Sequence, residues 1–288
     1  RRDALRMGGE ESERDMGKKF VISGGNSGIG LEVGRQLVRL GHHVVLIGRD
    51  AAKGAAALDA LKSGPGLAEF VAADLSTHTA TAACAQQLAA AHPVIDGLIL
   101  GAGVLMTRDE RTSEGLHPVF SVNYLSRYHM TQRLLPNLKR SSSPTVVLLV
   151  PGVPLTSKID FADFPRFEKG FGLPKLGQVQ IANYHYVANL AKVEPGVRAA
   201  VMNVGLVDTD IMRAMPGFFR FVFNLVGPLV HIPVEKSASN AVWLSTNDGW
   251  ASGSCWKKPG QPEVTQKVSF DASVTEKVIA ASRELTGV

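Results

Sequence analysis

Lys19-Phe20-Val21-Ile22-Ser23-Gly24-Gly25-Asn26-Ser27-Gly28-Ile29-Gly30 is the stretch that decides the fold. An apolar run suited to a strand enters a glycine-rich turn, and from Ile29 to Leu40 the apolar residues recur with helical spacing. Strand, tight turn and helix in that order open a βαβ unit. Glycine lets the backbone turn sharply and come close to a ligand. The helix N-terminus adds unpaired N–H groups and the positive end of its dipole, so the turn reads as a pyrophosphate cradle. A glycine pattern alone is a weak signal; between a strand and a helix it is specific.

The same rhythm continues outward from this unit. Strand-like runs at Lys19–Ser23, His43–Ile47, Ala68–Ala72, Gly97–Leu100, Thr145–Val150, Ala199–Asn203 and Ser254–Trp256 alternate with helical stretches. The helices are expected at Ile29–Leu40, Ala51–Leu61, Thr79–Ala91, Leu116–Leu138, Gly177–Val193 and Ser237–Ser245. Most of the strand runs are continuously apolar, as strands covered on both faces must be. The pattern predicts an α/β, doubly wound parallel sheet of about seven strands in a single domain over residues 18–288, with residues 1–17 a disordered leader. Two segments break the rhythm, Pro151–Lys175 and the Phe- and Met-rich Asp208–Pro233. Both follow carboxyl ends of strands, where open α/β sheets bind ligands, and loops this long are usually functional.

With 45% apolar and 20% charged residues in 288, the chain can bury a large core. Its net charge of +5 comes without a Lys/Arg run, which argues against a nucleic-acid partner. Cys84 and Cys255 are the only cysteines and lie in no metal-ligand spacing, so neither a disulfide framework nor a metal site is expected. No stretch reaches the ~18 apolar residues needed to span a membrane, and Arg1 to Lys19 lacks the apolar core of a signal peptide. A cytoplasmic, reducing location is the expectation, with contact at a membrane surface left open.

These motifs resemble the short-chain dehydrogenase/reductase family, whose first turn reads Thr-Gly-x-x-x-Gly-x-Gly and which has a Rossmann-type fold. The resemblance runs from Lys18 through nearly the whole chain. Asp74-Leu75 stands where the family contacts adenine, and Gly101-Ala102-Gly103 matches the tail of its Asn-Asn-Ala-Gly motif. Glu114-Gly115 through Asn123 to Leu134-Leu135-Pro136 is similar to its long interface helix. The retinol-dehydrogenase-like branch is nearest, on Ile159-Asp160-Phe161, Ile181-Ala182-Asn183 and Glu284-Leu285-Thr286-Gly287-Val288. The resemblance implies a cofactor site at Ser23, Gly24, Asn26, Ser27, Gly28, Ile29, Gly30, Asp74, Leu75, Gly101, Ala102, Gly103, Gln180 and Thr209. It also implies a homodimer or homotetramer through the Leu116–Leu138 and Gly177–Val193 helices. At the end of the second strand Gly48 offers no carboxylate for ribose hydroxyls, whereas Arg49 offers a planar cation for a 2′-phosphate. The expected cofactor is therefore NADP(H), with Asp50 capping the next helix.

The family's proton-donating Tyr, and the Lys four residues on, are replaced. Its Tyr-Gly-Gln-Ser-Lys-Leu-Ala-Asn aligns without a gap on Leu176-Gly177-Gln178-Val179-Gln180-Ile181-Ala182-Asn183, and its Ser-Ser becomes Pro151-Gly152. Asn123 is retained. Leu176 cannot donate a proton and Gln180 carries no charge, so ordinary ketone reduction is not expected. The residues expected to carry catalysis are Asn123, Lys175 and Gln180; Lys158, Asp160, Asp163, Glu168, Tyr184 and His185 are weaker substitutes. Three readings stay open: an atypical reductase acting on an iminium or an activated C=C, a non-redox cyclase or isomerase, and a non-catalytic regulatory protein. The apolar Met212–Val230 segment, with Phe218, Phe219, Phe221 and Phe223, points to a bulky hydrophobic substrate.

Overall fold

The computed structural model describes residues 17–105, 108–151, 158–168, 170–205, 207, 232–256, 266–267 and 271–288. Thr209, the Met212–Val230 segment and residues 1–16 of the expected leader lie outside the described residues.

Continuous apolar runs become the strands β1 (Lys19–Ser23), β2 (His43–Gly48), β3 (Leu67–Ala72), β4 (Gly97–Leu100), β5 (Thr145–Val150), β6 (Arg198–Asn203) and β7 (Ser254–Trp256). A short β8 (Gln266–Lys267) pairs antiparallel with β7, an edge that the sequence reading does not contain. The order is β3-β2-β1-β4-β5-β6-β7-β8, and β1 to β7 run parallel. The direction of winding reverses between β1 and β4, where Ser23 stands opposite Leu100. That switch point is where a doubly wound sheet binds ligands.

Side-chain alternation along each strand divides the core in two. Val21, Leu98, Leu100, Val146 and Leu148 face one layer, and Phe20, Ile22, Ile99, Val147 and Leu149 face the other. The second layer packs on α1 (Gly28–Arg39), α2 (Ala51–Leu61) and α6 (Val234–Thr246) through Val33, Leu37, Leu61 and Leu244. The first packs on α3 (His78–Ala91), on α4 (residues 118–138) and on α5 (Leu173–Val193). The α4 helix is one run made of Pro118–Phe120, a π-helical turn at Ser121–Leu125, and Ser126–Leu138.

A last helix, α7 (Ala272–Thr286), is absent from the sequence reading. It closes over α4 and α5: Tyr124 Oη meets Ser282 Oγ at 2.8 Å, Tyr128 Oη donates to the Val288 carbonyl at 2.7 Å, and His185 Nδ1 meets Thr275 Oγ1 at 2.8 Å. The faces of α4 and α5 that carry Tyr124, Tyr128 and His185 are thus covered within the chain. The α5 helix also begins earlier than Gly177, because Pro174 suits a first helical turn and takes Leu173–Lys175 out of the preceding loop.

Candidate functional site

The cradle at the end of β1 is built from backbone. Gly24 and Gly25 N–H groups both donate to the Ile47 carbonyl, at 2.9 and 3.1 Å, so the turn is pinned to β2 as it leaves β1. Gly24 has φ of +71°, and a β-carbon there would lie 2.9 Å from the Ala102 nitrogen. A β-carbon on Gly30 would lie 2.3 Å from the Gly24 carbonyl oxygen. Only glycine fits either place. The buried Ser23 Oγ accepts from Ala102 N at 3.2 Å, and Ser23 O accepts from Gly101 N at 3.0 Å, which ties the loop after β4 to the same turn. Ile29 packs on the second layer, while Gly28 is exposed at the mouth.

Helix α1 differs from its neighbours at its start. Asp50 caps α2 by accepting from Lys53 N at 3.0 Å, and Thr77 caps α3 by accepting from Ala80 N at 3.2 Å. At α1 the N-cap Ser27 makes no such bond and no acidic residue occupies the first turn. The N–H groups there are left to an anion from outside. Close by, a β-carbon on Gly48 would lie 2.6 Å from the Asn26 side chain, so Asn26 occupies the space a carboxylate at position 48 would need. Arg49 is exposed. Exposed Asp74 turns its Oδ1 to Ser76 N at 3.0 Å, and Leu75 is buried beneath it.

The second half of the site lies on α4 and α5. The buried Asn123 sits in the π turn, where the altered hydrogen-bond register frees groups for other partners. Its side chain accepts from Val104 N at 2.8 Å and donates to Val104 O at 2.9 Å, holding the segment that continues Gly101-Ala102-Gly103. Its carbonyl accepts from Asn183 Nδ2 at 3.1 Å. Asn183 Oδ1 in turn accepts from Arg127 Nη1 at 3.3 Å, and Arg127 Nη2 donates to Ala102 O at 3.0 Å. Arg127, a residue that sequence reasoning missed, therefore links the β4 loop to α5. Its only sequence signal is the spacing of four from Asn123, which puts both on one face of the helix.

Gln180 is buried, and its Oε1 has no hydrogen-bond partner among the described residues. Leu176, one turn earlier, is half-buried against the first-layer core. Lys175 is drawn away from both: its ammonium is ion-paired with the buried Asp163 and lies 5.7 Å from the centre of the Phe167 ring. Asp163 is therefore not a solvated loop residue. The segment carrying it is packed by Phe120, Phe164, Phe167 and Phe171, with His117 stacked on Phe171 at 3.7 Å. Arg111 clamps it from outside by donating to Phe167 O at 2.9 Å. Lys158, Asp160 and Glu168 are exposed.

No tyrosine among the described residues stands ready as a proton donor in place of Leu176. Tyr124 and Tyr128 are bonded to Ser282 and Val288, Tyr186 accepts from Gln132 Nε2 at 3.2 Å, and Tyr184 is buried. Burial pushes the hydroxyl pKa of all four upward. Burial also pushes His185 down to about 4, and its ring is bonded to Thr275. No cluster of His, Cys, Asp or Glu among the described residues could hold a metal ion, and no helix among them is long and apolar enough to cross a membrane.

The short-chain dehydrogenase profile matches residues 18–151, the β1 cradle through the end of β5. The chain belongs to the short-chain dehydrogenase/reductase family of oxidoreductases. Among its relatives, retinol dehydrogenase 12 of Mus musculus is 32% identical over 201 residues, which span 68% of this chain and 64% of the relative. Retinol dehydrogenase 14 of Mus musculus is 28% identical over 308 residues, spanning 100% of this chain and 91% of the relative. Polyprenol dehydrogenase of Homo sapiens is 25% identical over 280 residues, spanning 93% of this chain and 84% of the relative. These similarities put the chain in the retinol-dehydrogenase-like branch. Of solved structures, an NADP complex of Pseudomonas aeruginosa RhlG superposes with a TM-score of 0.68 at 22% identity, covering 85% of this chain and 96% of that one.

Proposed function

We propose that this family member is an NADP(H)-dependent oxidoreductase that reduces a bulky hydrophobic acceptor needing no proton from a tyrosine, such as an iminium or an activated C=C. The reading rests on one observation: a backbone cradle that tolerates no β-carbon at Gly24 or Gly30, opening on a helix whose N-terminus has no internal cap. Such a cradle fits a pyrophosphate. The orphaned Gln180 Oε1 also fits, since a buried carbonyl without a donor costs about 1–3 kcal/mol and a ribose hydroxyl would supply that donor.

Ser23, Gly24 and Asn26 to Gly30 would hold the pyrophosphate, Asp74 and Leu75 would meet the adenine, and Gly101 to Gly103, continuing to Val104, would line the cofactor towards its nicotinamide end. Arg49 selects the 2′-phosphate, while Asn26 blocks the space of a competing carboxylate. A bound reduced nicotinamide supplies a hydride. Asn123, with Asn183 bonded to its carbonyl, holds the loop that would face the nicotinamide, and Gln180 would orient the ribose without charge. Leu176 presents an apolar wall that excludes water, and no proton moves at that position. An iminium carbon accepts hydride with loss of its positive charge, so a donor-free wall is no obstacle there. A ketone would be left with an unquenched alkoxide. Relatives named for retinol and polyprenol are in keeping with a long apolar substrate, as are the phenylalanines of Met212–Val230. Lys175, held by Asp163, has no catalytic part in this scheme.

The test is to give purified protein NADPH with imines, enones and ketones carrying long apolar groups, following the cofactor's near-ultraviolet absorbance and product mass. Reduction of an imine or enone in preference to the matching ketone is the expected result. Conversion of substrate without consumption of NADPH would replace this reading with non-redox catalysis, and tight nucleotide binding without conversion would replace it with a regulatory role.

A further inference from the structure

Arg127 is 2% exposed, yet among the described residues no carboxylate pairs with it. Its two acceptors, Ala102 O and Asn183 Oδ1, are neutral, and its Nε has no partner among the described residues. Burial lowers its pKa, but the group stays protonated at neutral pH. A buried cation without a counter-ion is a costly thing for a fold to keep. This one is bonded directly to the Gly101-Ala102-Gly103 loop and, through Asn183, to the carbonyl of Asn123. Position 180 meanwhile is a neutral Gln. The buried cation beside Asn123 and Asn183 is therefore on α4, behind the β4 loop.

We infer that Arg127 is a fixed positive charge that makes the site favour the reduced, uncharged nicotinamide ring over the oxidised, cationic one. The inference rests on the nicotinamide-binding reading above. Both redox forms carry the same phosphates and riboses, so the attraction of Arg127 for those anions cancels in the ratio of their affinities. Only the ring differs, by one unit of positive charge. At an effective dielectric of about 20, two unit charges shift an equilibrium by about tenfold even across roughly 10 Å. Held apart from solvent by Ala102 and Asn183, the guanidinium is poorly screened by salt. A device of this kind biases the enzyme towards reduction, because the oxidised cofactor left after hydride transfer departs more readily than the reduced cofactor that precedes it.

The experiment is a calorimetric titration of the full chain with NADPH and with NADP⁺ separately, on the wild type, R127K and R127M. Wild type should bind NADPH at least about tenfold more tightly than NADP⁺. R127K, which keeps the charge, should preserve the ratio, and R127M should bring the two affinities within about threefold. A purely structural staple would lower the melting temperature of both variants and leave the ratio unchanged in each. Asn183→Asp places a carboxylate on Nη1 and should lower the ratio with Arg127 still present, which covers the case in which R127M does not fold. Equal affinities in the wild type, or a full ratio in R127M, would overturn the inference while leaving nucleotide binding intact. A wild type that saturates with neither nucleotide would overturn the cofactor reading itself.

Discussion

The cradle at the mouth of β1 and the front of α5 are joined through the loop after β4, yet they are built on opposite terms. The cradle is mostly backbone: its shape comes from places where a side chain cannot go, at Gly24 and Gly30, from N–H groups left uncapped by Ser27, and from the single Ser23 Oγ tie to Ala102. The front of α5 is all side chain: an apolar Leu176, an orphaned Gln180 and, facing it through Asn183, a buried cation. Steric requirements of the first kind permit almost no substitution without losing the fold of the turn. Side-chain equipment of the second kind can be exchanged while the helix persists. On the proposed reading, binding and chemistry are separable, and the chemistry is the part that can be rewritten.

The sharpest way to break the comparison is Gly30→Ala. With a β-carbon 2.3 Å from the Gly24 carbonyl, the turn must open, and NADPH affinity is expected to fall by at least about hundredfold in calorimetry, while Leu176→Ala leaves it nearly unchanged. Next is the reverse repair: Leu176→Tyr with Gln180→Lys should raise ketone reduction by about 10²-fold or more in a steady-state assay. No gain with nucleotide affinity intact would mean that those two groups are not what limits ketone reduction. A smaller effect is expected at the rim of the cradle. Arg49→Ala should weaken NADPH by about tenfold and leave NADH unchanged, the value of a charge-assisted phosphate contact.

The smallest effect is the acid response of the α4–α5 side. Burial pushes His129 on α4 and His185 on α5 down to about 4, so the folded state holds both rings neutral while the unfolded chain takes up protons near 6.5. Stability from this source is complete above pH 6.5 and is lost as pH falls towards 4. The melting temperature should decline over that window, and His185→Gln should flatten the decline. An unchanged slope in that variant would assign the acid response elsewhere.

What the sequence revealed of all this follows the range of the interactions. The cradle is legible because the clash that demands Gly30 is local, against the Gly24 carbonyl, and set in a strand–helix context, whereas the clash of Gly24 with Ala102 comes from the remote β4 loop. The Asp50 cap on Lys53 is legible for the same reason, since donor and acceptor are three residues apart. Asn123 is legible as a motif, but the π turn that frees it has no signature of its own. The Lys175–Asp163 pair, the aromatic packing of Phe164 and Phe167 on Phe120, and the Arg127 link to Ala102 join parts of the chain that only tertiary packing brings together. They place the acid–base candidate Lys175 in an ion pair and make an apparent open loop part of the core. Helix α7 escapes for the same reason, since its partners on α4 are remote in sequence, as in the 158 residues separating Tyr124 from Ser282.

That distance has a bearing on how the molecule is made. Until residues 272–288 have left the ribosome, the hydroxyls of Tyr124 and Tyr128 and the ring of His185 lack the partners they hold in the finished fold. The layer behind the glycine cradle waits for α6 and Trp256, and the opposite layer waits longer, for residues 272–288. During that interval the first layer shows apolar surface that the finished fold covers with Val278 and Ile279.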